Sequence, residues 1–416
     1  MPIAVYVLAL GIFTQGTSEF MLSGLLPGMA ADLGVSIPDA GLLISAFAIG
    51  MVVGAPLLAV ATLNLPRRTA LGWLQAVFVA AHVAGALAPG YGTLFATRLV
   101  SALAYAGFWG VAVATAVALV PESAKSRAVA VVAGGLTLAT IVGVPAGTVL
   151  SQHASWRAAF WAVAVATAVS LVCTLVAVAA DQRAQGAPDA PGAGGESGAE
   201  GGNGARRSVR AELRGMARPQ LWLSYAITAF TFGAVIVTFS YLAPLLTDVT
   251  GVSEAWVPGL LALFGAGGLV GLVIGGRTAH AHPLATLGWG LGALAAVSVL
   301  LAVTARSTAA VVVLVFLLGI AGYVTNPALQ SRVFALAPGA PTLVGATNTA
   351  AFNVGNTLAP FLGGLAIDAG LGYTSVAWVG AGLAAAGFAA VLRAVRAGRA
   401  DAGHATPPKP RRHAPA

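Results

Sequence analysis

Two ionisable side chains stand alone inside long apolar stretches, and their chemistry sets the first question. Glu19 lies in "GTSEFMLSGLLPGM", near the middle of an apolar run that begins at Ile3. Arg98 lies in "ATRLVSALAYAGFWG". A charged side chain at the centre of a membrane helix costs roughly 2.5–3.5 kcal/mol on insertion scales. A carboxyl in a low-dielectric setting can also gain and lose a proton as its surroundings change. Glu19 is therefore a candidate proton carrier and substrate contact. The alternative is a protonated carboxyl that hydrogen-bonds a neighbouring helix. Gln15 lies one turn away, where it can hydrogen-bond either Glu19 or a bound molecule. An unpaired guanidinium is no cheaper, so Arg98 should face the bundle interior. There it can tie two helices together, or, near the outer end of its helix, snorkel toward the surface.

The other polar groups in apolar stretches are neutral. Tyr105 and Trp109 are four apart, hence on one helix face, and aromatic walls suit a drug-like molecule or ordinary helix packing. Tyr241, Asn326, Asn353 and Asn356 can line the same cavity or act as interhelical glue. His82 is a lone polar residue to which the pattern assigns no role. Catalysis needs clustered acids, histidines or a metal site, whereas a single acid with no His or Cys partner offers none. No Walker A sequence is present, so nucleotide-driven pumping is not indicated. The expectation is no enzyme, no metal and no cofactor.

These groups must be carried by membrane helices. Of 416 residues, 58% are apolar and 8% charged, against roughly 25% charged in soluble domains. Apolar residues fall in twelve blocks, each about long enough to cross about 30 Å of hydrocarbon. The blocks are 4–26, 40–62, 70–88, 92–119, 128–150, 157–180, 220–246, 256–277, 284–304, 308–330, 343–367 and 374–394. The first is too long for a cleaved leader, lacks a basic flank and carries Glu19. The only cysteine, Cys173, permits no intrachain disulfide. With the N-terminus inside, 18 of the 21 Lys and Arg fall on the inner side, and only Arg157 and Arg306 fall outside. This asymmetry puts both termini in the cytoplasm. It also accounts for the net charge of +8 without nucleic acid.

The chain divides into two repeats. Residues 1–180 and 219–395 each hold six blocks, 181–218 is a Gly/Ala/Pro-rich tether with a basic end, and 396–416 is a disordered cytoplasmic tail. Pro27 aligns with Pro244, and Gly34-Val35-Ser36 with Gly251-Val252-Ser253, at an offset of 217. Gly135, Ala139, Gly143 and Gly147 form a four-residue ladder of small side chains, and Ala351, Gly355, Ala359 and Gly363 repeat it at 216. Such ladders let helix backbones approach closely, and Pro145 and Pro360 permit bends. The expected fold is all-α and polytopic, with twelve transmembrane helices in two pseudo-symmetric bundles around a central cavity.

The residues resemble the major facilitator superfamily, within its twelve-helix drug:proton antiporter family. "GTSEFMLSGLLPGMAADLGVS" resembles the first-helix signature, "ATRLVSALAYAGFWG" the fourth-helix motif with Arg98 as its arginine, and "GGLTLATIVGVPAGTVL" the antiporter motif with Gly135, Gly143, Pro145 and Gly147. The wording is most similar to actinobacterial chloramphenicol-resistance exporters. The resemblance implies proton-coupled efflux of a small hydrophobic or amphiphilic drug across the bacterial inner membrane, with Arg98 aiding proton release. It implies a monomer in lipid whose partners are protons and a small molecule. The alternative is export of an endogenous metabolite such as a sugar, amino acid or self-made antibiotic. One motif departs. The gate loop "ATLNLPRRTAL" keeps Arg67 and Arg68 but has Leu63 where the family has aspartate and Asn64 where it has arginine. Its second-half counterpart carries His280 and His282, read as polar loop residues.

Overall fold

The computed structural model describes residues 1–62, 65–184, 218–279, 282–337 and 341–404. Among these, twelve helices are long and apolar enough to cross a membrane. The first six are α1 (Ile3–Leu33), α2 (Ile37–Ala61), α3 (Arg67–Ala86), α4 (Tyr91–Ala118), α5 (Glu122–His153) and α6 (Trp156–Ala184). The second six are α7 (Pro219–Ser240), α8 (Val257–Ala279), α9 (Pro283–Thr304), α10 (Thr308–Leu336), α11 (Pro341–Ala366) and α12 (Ser375–His404).

The helices run past the apolar blocks. The last turn of α6 includes residues 181–184, and α12 continues to His404 rather than stopping at 395. That extension of α12 holds three Ala and two Arg among its nine residues, and both are strong helix formers. Residues 185–217 and 405–416, which hold most of the expected tether and tail, lie outside the described residues, as do Leu63, Asn64 and His280.

Turn chemistry is repeated between halves. Gly34 and Gly251 both adopt left-handed backbone, with φ of 65° and 74°, a conformation that glycine takes without the Cβ penalty. Proline interrupts the regular ladder of hydrogen bonds where it falls inside a span. In α5 a π-turn over Ala139–Gly143 sits just before Pro145, and the Val144 N–H reaches back to the Ala139 carbonyl. In α10 the helix breaks at Val324 and Thr325, ahead of Pro327.

The small-residue ladders decide how close the helices come. A Cβ on Gly135 would collide with the Ala9 carbonyl oxygen of α1, and one on Gly143 with the Thr17 side chain. In the second half, a Cβ on Gly355 would lie 2.5 Å from the Ala229 carbonyl oxygen of α7, and one on Gly363 would lie 2.8 Å from Tyr241. Gly147 differs, since a Cβ there would meet Met21 at an ordinary 3.5 Å. The contacts pair Gly135 with Gly355 and Ala9 with Ala229, both 220 apart, instead of the 216 read from the ladder. A four-residue ladder looks alike after a shift of one rung, so sequence alone leaves that register degenerate. At 220 the counterpart of Glu19 is Phe239, which is apolar.

Between the halves, α2 packs along α11 and α5 along α8. One end of this interface is shut. Ser45 donates to the Thr357 carbonyl at 2.8 Å, Gln152 donates to the Glu254 carbonyl at 2.6 Å, and Gly41 of α2 packs against the Tyr241 ring. Toward the opposite end, which carries the α4–α5 and α10–α11 connections, the halves separate around a cavity.

Candidate functional site

The cavity measures about 410 Å³ and is lined by both halves, within the roughly 300–1,000 Å³ range of ligand pockets. Its walls are aromatic and aliphatic. Tyr105 and Trp109 stand edge to face, with centroids 6.3 Å apart, on the α4 wall. Phe232 and Phe352 meet at 4.0 Å on the opposite wall. The polar lining there is mostly amide and hydroxyl: Asn326, Gln330, Asn348, Thr349 and Asn353. The lining reaches Ala130, Gln330 and Asn348, near the open end.

Glu19 is the only carboxyl on the lining, and its side chain makes no hydrogen bond or ion pair with any described residue. Among the described residues of the lining, two polar atoms are buried without a protein partner, one from each half: the Tyr105 hydroxyl and Asn353 Oδ1. A buried polar atom left unpaired costs about 1–3 kcal/mol.

Of the residues singled out by sequence, Glu19, Tyr105, Trp109, Asn326 and Asn353 reach the cavity. Gln15, Tyr241 and Asn356 do not. Gln15 is fully buried away from the lining, and its amide donates to the Gly11 carbonyl at 3.3 Å. Four residues turn an α-helix by about 400°, so Gln15 points about 40° away from Glu19. Asn356 is three residues beyond Asn353, about 60° short of a full turn, and is likewise buried off the lining. Tyr241 lies at the shut end, where its hydroxyl donates to the Pro360 carbonyl at 2.7 Å. It fastens α7 to α11 rather than facing cargo.

Arg98 is fully buried behind the cavity wall. Its Nη1 donates to Ser18 Oγ at 2.7 Å and its Nη2 to the Ser18 carbonyl at 3.0 Å. The guanidinium also lies over the Phe47 ring, 4.3 Å from its centroid. No ion pair joins it to Glu19, although Glu19 follows Ser18 directly. His82, given no role by sequence, is 2.6 Å from Ser18 Oγ through Nε2. The available signal was its ionisable character within a membrane span. Arg68 donates to the Leu175 carbonyl at 3.0 Å, so it ties α3 to α6 within the first half. Arg67 opens α3.

Two repeated six-helix sets with a cavity between them and a lone acid in its wall are what a rocking transporter requires. The sequence pattern of the Major Facilitator Superfamily matches residues 8–352. The chain belongs to the major facilitator superfamily. It is a multi-pass membrane transporter and not an enzyme. It is 39% identical to a chloramphenicol resistance protein of Streptomyces lividans over 87% of this chain and 88% of that one. It is 36% identical to the inner membrane transport protein YdhP of Escherichia coli K12, over 94% and 95%. Among solved structures it matches a bacterial homologue of the lysosomal transporter Spinster, with a TM-score of 0.71 at 16% identity over 96% and 98% of the two chains. It also matches a peptide transporter, with a TM-score of 0.73 at 12% identity over 96% and 95%. The two solved structures share this chain's fold.

Proposed function

We propose that the protein exports a small, neutral amphiphilic drug of the phenicol type, chloramphenicol included, in exchange for protons. The observation that carries this reading is Glu19: one carboxyl, with no hydrogen-bond or ion-pair partner among the described residues, in the wall of an aromatic and amide-lined cavity between the two halves. A carboxyl so placed can take a proton on one side of the membrane and lose it on the other. The walls offer flat apolar surface plus unpaired hydrogen-bonding atoms, Tyr105 Oη and Asn353 Oδ1. Those features suit an aromatic amide-alcohol better than a sugar or a highly charged molecule. The Streptomyces lividans relative supports the same substrate class.

In this reading the termini are cytoplasmic, the bilayer is the bacterial inner membrane, and the cavity opens to the cytoplasm. The protein works as a monomer in lipid and uses no cofactor. One proton moving down a unit pH difference and 100 mV provides about 1.4 plus 2.3 kcal/mol. That supports a gradient of roughly 500-fold for a neutral molecule. The test is a drug-susceptibility panel in a host stripped of its own efflux pumps, with and without the protein. Raised tolerance to phenicols, lost when the proton gradient is collapsed, is the expected outcome. Unchanged tolerance at full expression would refute the substrate assignment.

A further inference from the structure

The buried chain that runs from Arg98 through Ser18 to His82 has a direction. The Phe78 carbonyl lies 3.0 Å from His82 Nδ1. A carbonyl can only accept, so Nδ1 carries the proton and donates. In the neutral ring, Nε2 is then a bare acceptor, 2.6 Å from Ser18 Oγ. Ser18 Oγ in turn accepts from Arg98 Nη1 at 2.7 Å, because a guanidinium can only donate. The serine proton is thereby aimed at His82. Donors point one way throughout, from Arg98 to Ser18 to His82 to the Phe78 carbonyl.

The imidazole is locked in this role by its neighbours. It stacks on Phe78 with centroids 4.1 Å apart, and Phe160 of α6 covers it at 5.6 Å. The groups that face it are Ser18 from α1, Phe78 from α3 and Phe160 from α6, none of them charged. The charge behind Ser18 is Arg98 of α4, and the acid nearest along α1 is Glu19. Both Arg98 bonds end on Ser18, while its Nε has no partner among the described residues. Glu19, the next residue, has no hydrogen-bond or ion-pair partner among them either.

We propose that Ser18 and His82 form a clamp that holds the Arg98 guanidinium off the Glu19 carboxylate while the cavity is open. His82 is the neutral terminal acceptor that keeps the Ser18 hydroxyl turned for this purpose. Both are positioning residues, since they act on Glu19 only through Arg98. Without the acceptor, the Ser18 hydroxyl turns back to a carbonyl of its own helix. Arg98 then keeps only the Ser18 carbonyl and can swing one residue along α1 to pair with Glu19. The clamp sets when the carboxyl meets its counter-charge, and hence the pH at which cargo and proton exchange. This rests on the proposed proton-coupled export.

The experiment uses the full chain in liposomes, with chloramphenicol as the probe and proton release recorded against pH. Ser18→Ala removes the hydroxyl, and His82→Phe removes the acceptor while keeping ring stacking on Phe78. Both should move the midpoint of the pH profile in the same direction by about half a pH unit or more. The half-saturating chloramphenicol concentration should change by less than about twofold, because neither residue lines the cavity. His82→Gln, whose amide oxygen can still accept, should restore the wild-type midpoint. Thermal midpoints of the variants check folding, and Ser18→Ala, a loss of one oxygen, stands in if His82→Phe is unstable. Profiles that superpose on wild type, or midpoints that move in opposite directions, would overturn the clamp. Absence of chloramphenicol-induced proton release in the wild type would instead refute the export reading on which it rests.

Discussion

The two halves use one scaffold but different chemistry. Each packs its fifth helix against its first through a glycine that lets backbone touch backbone, Gly135 on Ala9 and Gly355 on Ala229. Yet the buried ionisable groups Glu19, His82 and Arg98 lie in the first half. The second half presents amides and phenyl rings to the same cavity, and Arg332, at the end of α10, is bound to Ser224 and Gln220. The fold therefore needs the glycines twice and the charges not at all. Charge buried at such cost, with no counterpart in the other half's shared scaffold, is not demanded by the fold, and the proposed proton exchange supplies a reason for it.

The sharpest way to break this comparison is Glu19→Gln. Glutamine keeps size and hydrogen bonding but carries no proton. Tolerance should fall to the vector level, roughly tenfold or more if chemistry of this kind resembles removal of a general acid–base, while membrane abundance stays normal. Full tolerance would remove the first half's special status. Glu19→Asp keeps the titrating group and should retain part of the activity.

Next in size are paired glycine substitutions. Gly135→Leu and Gly355→Leu should each destabilise by about 1–3 kcal/mol or more, since backbone oxygen cannot move aside. Thermal unfolding in detergent should show similar losses for both, as the repeat requires. A large asymmetry would mean that the halves are not packed alike. Gly147→Ala, with room for its methyl, should change stability by about 0.5 kcal/mol or less.

The smallest effects concern cargo. Tyr105→Phe and Asn353→Leu each remove one unpaired polar atom, on opposite walls. Each should weaken chloramphenicol binding by about 0.5–1.5 kcal/mol, a fewfold to about tenfold in Kd. Binding measured by isothermal titration calorimetry should show this while proton coupling persists. Unchanged affinity in both would place the cargo elsewhere.

Much of this was legible in the chain because a membrane imposes simple rules. Hydrocarbon forces about twenty apolar residues per span, so twelve blocks gave twelve helices. Its intolerance of charge made Glu19 and Arg98 conspicuous, and the left-handed glycines Gly34 and Gly251 marked the same turn in both repeats. Residue type alone carried that information. Direction around a helix and contact between helices depend on partners far along the chain, and there the sequence fell short. Gln15 and Asn356 share helices with cavity residues but point 40° to 60° aside, and Tyr241 fastens the shut end. The ladder register shifted by one rung because only the facing carbonyls of Ala9 and Ala229 distinguish its rungs. His82 gained its place only when α1, α3 and α4 came together, since a hydrogen-bond chain through Ser18 joins residues 64 and 80 positions apart.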